Sequence, residues 1–567
     1  MKKTLVLSSL SVLGLMLALS AAPAQPAPPK YDELTPKVHE LFAKWDKKDS
    51  PGCALVVLQD GKMVHHAGYG MANLELNVPI MLSTVFLIAS LSKHFAVFCI
   101  LMLAQGGRLS LDDDVRKHVP EVPSFGKTIT VRHLIHHTSG LREYLPLVSY
   151  AGWRSGDVVL ERDLLDLVSK QKELNFEPGS EYLYCNTGYE LLGLIVKRVS
   201  GKSLREYAKE KVFDPLGMGD TQFRDDPRML VKRFAASYNP APGGGWQYAP
   251  VFHGLAGASN LHTTVEDLAR WDANFYDMKV GGKEVLAQMH EKFKLTSGKE
   301  INYAGGLQIG KYKGLPIVEH TGSHGGFRTI LARFPEQRFS VILLANAADI
   351  NTTQQARKIA DLYLAGKLQE PKKDKALEVL KDDPKLSDRI LGDYLVENTF
   401  LVRVFREGGK LMVQTPQLKR ELFVLSETEF WEKANNWRLV FTLPAAKESL
   451  KLVVRVGGNE LTAKPIQKFT PTTEQLKEFV GTFYSEELEV MYSFIVKGDN
   501  LILRHRKGEV VLRPMQTDGF AGNFGEYGGT INLSFGRNGS KQVSGFLLTS
   551  GRVRNLRFVR AEVKIQS

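Results

Sequence analysis

Cysteine is scarce in this chain of 567 residues, which has three: Cys53, Cys99 and Cys185. Three thiols cannot build a disulfide framework. Together with the 14 histidines they show no metal-ligand spacing, so neither a stapled scaffold nor a zinc site is expected. Two of the three fall in apolar runs and read as buried free thiols. Beyond the first two dozen residues no apolar stretch is long enough to span a bilayer. There is also no block of Lys and Arg long enough to track a phosphate backbone, although Lys+Arg exceed Asp+Glu by 74 − 62 = 12. That surplus points to anionic surfaces or substrates and away from nucleic acid. Gly243-Gly244-Gly245 lacks the strand and helix that would make it a phosphate cradle, so no cofactor is expected.

What is present is ordinary globular composition, 43% apolar and 24% charged, which excludes a disordered chain and a polytopic membrane protein. The length suggests three or four domains. Lys2 and Lys3 precede a mostly apolar run, and Ser20, Ala21, Ala22, Pro23 and Ala24 follow it. This is the order of a secretory signal peptide over residues 1–24, cut near Ala22 or Ala24. The competing reading is an uncleaved anchor, but the run is about 15 residues where a spanning helix needs roughly 20. A periplasmic or secreted bacterial protein with no stable membrane insertion is therefore expected. No cysteine stands at the cut to carry a lipid.

Residues 53–58 are a continuous apolar strand pattern, followed by Asp60-Gly61, a strong hairpin signal, and a return strand. A long helical middle runs to about residue 275. Strand patterns return at 317–319, 327–334 and 339–344, and a helix closes the segment at 351–365. One antiparallel sheet built from both chain ends and flanked by helices satisfies this order, an α+β fold with an all-helical subdomain. Residues 31–366 are expected to form this unit and 367–385, rich in Lys, Asp and Pro, a linker. Beyond it lies a repeat. Gly408, Leu411, Leu422 and Phe430 recur 90 residues later as Gly498, Leu501, Leu512 and Phe520. Two small antiparallel β-barrel-like modules are expected, over 386–470 and 471–567, since closure removes sheet edges.

Three short patterns carry chemistry. Ser90-Leu91-Ser92-Lys93 sets a hydroxyl and an amine one helical turn apart, on one side of a helix. A lysine driven toward neutrality by burial can take the serine proton. Ser-x-x-Lys also occurs at Ser124 and Ser169, but only Ser90 opens a long apolar helix that would bury the amine. Its N–H would point outward at the helix start, where an oxyanion can be held. A plain helix cap is the other reading of Ser90. Tyr184-Cys185-Asn186 precedes a second helix. Tyr184 could relay a proton and Asn186 could bind an acyl amide, or they are a buried ring and a cap. His320-Thr321-Gly322 ends a strand along which a substrate could lie, with the N–H of Ser323 completing an oxyanion hole, or it is a turn.

Taken together, in this order, the three patterns resemble the serine β-lactamase and penicillin-binding-protein superfamily, in particular its class C β-lactamase-like branch. Flanking words match too: His136-His137-Thr138-Ser139-Gly140-Leu141, Phe176-Glu177-Pro178-Gly179, Asn186-Thr187-Gly188-Tyr189 and Pro215-Leu216-Gly217-Met218. The resemblance implies a serine hydrolase in which Ser90 is acylated, Lys93 is its base partner and Tyr184 shuttles the proton. Asn186 would orient Lys93 and the substrate, and His320, Thr321, Gly322 and Ser323 would bind substrate. His320 stands where β-lactamases usually carry Lys. That departure, with the two C-terminal barrels, resembles D-aminopeptidases, so D-residue peptides or related small amides are the expected substrates. An esterase or weak β-lactamase shares the same chemistry, and a non-catalytic ligand-binding protein is a further alternative. His136 and His137 read as structural. Arg328 reads as either a strand-borne surface residue or a ligand for a substrate carboxylate. Oligomeric state is not legible.

Overall fold

The computed structural model describes residues 31–561, except 155, 253, 370–377, 397–399, 416–417, 444–449, 457–458, 468 and 526. The expected leader over 1–24 and the middle of the expected linker lie outside the described residues. All three cysteines are buried and free. Among the described residues no helix is long and apolar enough to cross a membrane.

After helix α1 (Tyr31–Phe42), strand β1 (Cys53–Gln59) is apolar almost throughout because both of its faces are covered. Strand alternation still operates: Ala54, Val56 and Leu58 enter one core, and Cys53, Leu55 and Val57 the other. Asp60 and Gly61, with φ of 53° and 76°, turn the chain into β2 (Lys62–Tyr69). A left-handed pair of this kind is what Asp-Gly supplies in a two-residue hairpin. The sheet is completed from far along the chain by β3 (Gln308–Tyr312), β4 (Leu315–His324), β5 (Phe327–Phe334) and β6 (Phe339–Ala345). Its order is β3-β4-β5-β6-β1-β2, antiparallel throughout, with Cys53 opposite Ala345.

The helical middle covers one face of this sheet. Its centre is α2 (Lys93–Gln105), buried on every side from Lys93 to Leu101, as a helix apolar all round must be. The short α3 (Tyr144–Tyr150) packs on α4 (Asn186–Ser200), and α4 packs on α2. The other face is closed by α1 and α5 (Thr352–Tyr363), which contribute Val38, Phe42, Ile359 and Tyr363 to a separate core.

Both C-terminal modules are barrel-like, one closed and one nearly closed. The second is closed, with eight strands from Gly481–Ser485 to Val553–Arg560. The first has nine, and its two terminal strands, Lys419–Glu421 and Phe423–Val424, are consecutive pieces of one strand interrupted at Leu422. The first piece pairs with Lys410–Gln414 and the second with Glu429–Glu432. The uninterrupted strand Gly508–Gln516 spans the same two neighbours in the second barrel. The repeat anchors Leu411, Leu422 and Phe430, and Leu501, Leu512 and Phe520, are buried in equivalent places.

The second barrel docks on α3 through buried polar contacts. The guanidinium of Arg142, with no exposed side-chain surface, pairs with Glu487 and donates to Arg554 O. Tyr150 Oη meets Gly528 O at 2.7 Å and the Ser550 hydroxyl at 2.6 Å, and Tyr492 Oη donates to Tyr150 O. Removing one member of a buried pair strands the other charge, at a cost of about 3–5 kcal/mol. Arg142→Ala should therefore lower the melting temperature by several degrees in scanning calorimetry. The double variant Arg142→Met/Glu487→Met should recover much of that loss, because it leaves no charge behind.

Candidate functional site

Ser90 does not begin the α2 helix itself. It lies on a 3-10 turn, Ala89–Ser92, that feeds into it. Ala89 before it is held in the left-handed region at φ 48°, a cost of about 1–2 kcal/mol for a residue with a Cβ. The turn is pinned on several sides. Ser92 Oγ donates to Ala89 O and accepts from Leu261 N, and Thr329 Oγ1 donates to Ile88 O. Strand β4 runs past this turn. β3 covers the edge of β4 only as far as Glu319, so from His320 onward that edge is free to face Ser90. Gly322 makes the approach possible: a Cβ there would lie 2.1 Å from Ile88 O.

Lys93 Nζ, fully buried, reaches three oxygens: Asn186 Oδ1 and Ala258 O at 2.8 Å each, and Ser90 Oγ at 3.3 Å. Asn186 comes from the start of α4. Its side-chain orientation is set by Glu143, which accepts from both Asn186 N and, at 3.0 Å, Asn186 Nδ2. The loop bearing Ala258 sits close on α4 because residue 193 is glycine, where a Cβ would lie 2.1 Å from Ala256 O. Burial pushes the Lys93 amine down to about 7, partly opposed by Glu190 and Glu143 and assisted by Arg552. Burial pushes the neighbouring Glu190 carboxyl up. The face of the Tyr184 ring lies 4.8 Å from Nζ. Its hydroxyl lies beside Ser90 without a hydrogen bond of good geometry, and burial raises it far above the ordinary tyrosine range.

A cavity of about 340 Å³ opens at Ser90, with Asn186, Ser323, Arg328, Asn239 and Tyr527 among its lining residues. The structure thus brings Ser90, Lys93, Tyr184, Asn186 and Ser323 together. His320, expected to line the site, does not reach this wall. Its ring is buried, lies 3.0 Å from Tyr303 Oη and 2.7 Å from Thr321 O, and packs near Tyr184. Burial and Lys93 push it down to about 3, so it is neutral at any ordinary pH. Thr321 and Gly322 likewise shape the strand without lining the cavity. His137, read as structural, packs on the Tyr184 ring with centroids 4.2 Å apart and accepts from Cys185 N. Arg328 lies in the cavity wall, where Nη1 donates to Gly325 O and Phe327 O. Glu143, Glu190, Tyr527 and Arg552 carried no pattern in the sequence. Among the described residues no group of three His, Cys, Asp or Glu is placed to hold a metal ion.

The family model described as Beta-lactamase matches residues 39–365. Penicillin-binding protein 4* of Bacillus subtilis (strain 168) is 29% identical over 424 residues, 71% of this chain and 92% of its own length. A D-aminopeptidase of Gluconobacter oxydans (strain 621H) is 26% identical over 444 residues, 77% of this chain and 80% of its own. Among solved structures, the octameric penicillin-binding protein homologue from Pyrococcus abyssi superposes with a TM-score of 0.53 at 23% identity, covering 84% of this chain and 99% of that one. It has the same fold.

Two outcomes follow from this geometry. A neutral Lys93 is needed to accept the serine proton, so labelling of Ser90 by a fluorophosphonate should be slow below pH about 7, rise through that pH and level above it. Gly322→Ala should cost at least about tenfold in the same labelling rate, because a backbone carbonyl cannot yield 1 Å without moving the Ser90 turn.

Proposed function

The chain belongs to the beta-lactamase family of serine hydrolases, and we propose that it is an exported acyl-hydrolase that cleaves amide bonds of D-residue-containing peptides or related small amides. One observation carries the chemistry. A neutral amine has two hydrogens, and Asn186 Oδ1 and Ala258 O, each at 2.8 Å, accept both. The lone pair is then left toward Ser90 Oγ. Ser90 Oγ attacks the acyl carbon as its proton passes to Lys93 Nζ, and the N–H groups of Ser90 and Ser323 would receive the oxyanion. The C–N bond breaks, the leaving amine takes a proton by way of Lys93 and the Tyr184 hydroxyl, and water repeats the sequence on the acyl-enzyme. Tyr184, raised by burial, acts as a neutral carrier and Lys93 as the base.

Substrate class is supported by the cavity. It takes a small acyl group, and Arg328 offers a guanidinium to a carboxylate. The D-aminopeptidase relative, matched over most of both chains, points to amides of D-residues. An esterase reading stands on the same acyl-enzyme. The β-lactamase reading shares the acyl-enzyme too, but there neutral His320 supplies no charge to a β-lactam carboxylate and Arg328 would have to do so. The leader pattern over 1–24 supports export, and the family match over 39–365 supports a hydrolase unit at 31–366.

Mass spectrometry after reaction with a fluorophosphonate or a labelled penicillin should place the adduct on Ser90. Folded Ser90→Ala should lose both adduct and turnover, and full turnover in that variant would end the acyl-enzyme reading. Arg328→Ala should raise KM about tenfold or more for carboxylate-bearing substrates while leaving neutral amides nearly unaffected, since a charged hydrogen bond is worth roughly 1.5–3 kcal/mol. Equal losses on both substrate types would remove Arg328 from substrate recognition.

A further inference from the structure

Asn186 ties Lys93 to the rest of the protein, and Glu143 holds Asn186. The Glu143 side chain has no exposed surface. Its two oxygens take Asn186 N and Asn186 Nδ2. A buried carboxylate is costly without a cation, and the cation comes from another module. Arg552, in the turn between the last two strands of the second barrel, places Nη1 3.5 Å from Glu143 Oε2. Main-chain contacts fix that turn in place. Arg552 O accepts from Glu143 N at 3.3 Å and from Asn175 Nδ2 at 3.0 Å, and Arg554 N donates to Asn175 Oδ1 at 2.8 Å. A continuous line of contacts therefore runs from Arg552 through Glu143, Asn186 and Lys93 to Ser90.

We propose that Glu143 and Arg552 are positioning residues for acylation: Glu143 turns the Asn186 amide oxygen toward Lys93, and Arg552 offsets the charge of Glu143 at that amine, so that the second barrel completes the active site. The inference rests on Lys93 being the base. Among the described residues, the other groups named around the amine do not duplicate the role of Arg552. Glu190 on α4 and Cys185 act in the same sense as Glu143, favouring the protonated lysine. His137 and His320 are buried and neutral, and Tyr184 and Tyr189 present ring faces. Arg552 is the charge that acts in the opposite sense. Its side chain is 36% exposed, so its influence is partly screened and falls with salt.

The test compares the full-length protein with Arg552→Gln, Arg552→Lys and Glu143→Gln, each checked for native circular dichroism. The readout is the single-turnover rate of Ser90 acylation by a fluorophosphonate against pH, at low and high salt. Losing the Arg552 charge should move the acid limb of the profile up by about half a pH unit, less at high salt, and lysine should restore it. Losing the Glu143 charge should move the limb down, with a lower plateau because Asn186 is no longer oriented. A merely structural role would lower rates without displacing the two limbs in opposite directions. If the wild type labels at Ser90 but the limbs stay still or move together, this inference is wrong and the hydrolase reading survives. If the wild type does not label at Ser90, both fall. Should Arg552→Gln fail to fold, Arg552→Lys and Glu143→Gln still decide, since unshifted limbs in Glu143→Gln overturn the proposal.

Discussion

The site depends on a lysine amine that water does not reach. In solution Lys93 would be an ammonium and useless as a base. Burial among apolar side chains disfavours the charged form. The same burial would leave N–H groups unsatisfied if no acceptors were supplied, and each would carry its own desolvation cost. Two carbonyl-type oxygens, one from the first residue of α4 and one from the loop at Ala258, meet that need without adding negative charge. Much of the hydrolase unit can be understood as what brings them there. Gly193 lets the Ala258 loop settle on α4, and Gly322 lets β4 pass the Ser90 turn. A sheet assembled from both ends of the segment holds β4 and α2 in one frame.

Much of this was legible in the amino-acid sequence, for identifiable reasons. Ser90 and Lys93 are one turn apart, and a turn is a local object, so the spacing carries the geometry. The two-core strand at 53–58 and the Asp-Gly hairpin were legible for the same reason. The meeting of Lys93 with Asn186 is not local, and the family resemblance supplied it. His320 shows where a motif alone misleads. It lies on the expected strand, but that side chain enters a buried layer with Tyr303 while Ser323 lines the cavity. Arg328 posed the same problem in reverse. Glu143 and Arg552 could not be found at all, because an ion pair between distant segments leaves no trace in either one.

The two barrels share a repeat but not a situation. The second is sealed against α3 by Arg142, Tyr150 and Tyr492, and its residue Tyr527 lines the catalytic cavity. The first keeps the same strand order, nearly closed, with one strand broken at Leu422. Broken and unbroken strands bury the same leucine position. The repeat therefore preserves the core anchor while letting strand continuity vary.

Consider the order in which the ribosome delivers these parts. Ser90 and Lys93 emerge early, Asn186 and Ala258 later, and the strand that flanks Ser90 later still. Arg552 follows all of these, in the turn against Glu143. A nascent chain thus holds Ser90 and Lys93 well before the guanidinium opposite Glu143 is made. By setting a turn of the second barrel against the Glu143–Asn186 pair, the molecule makes the surroundings of Lys93 depend on a segment synthesised long after it.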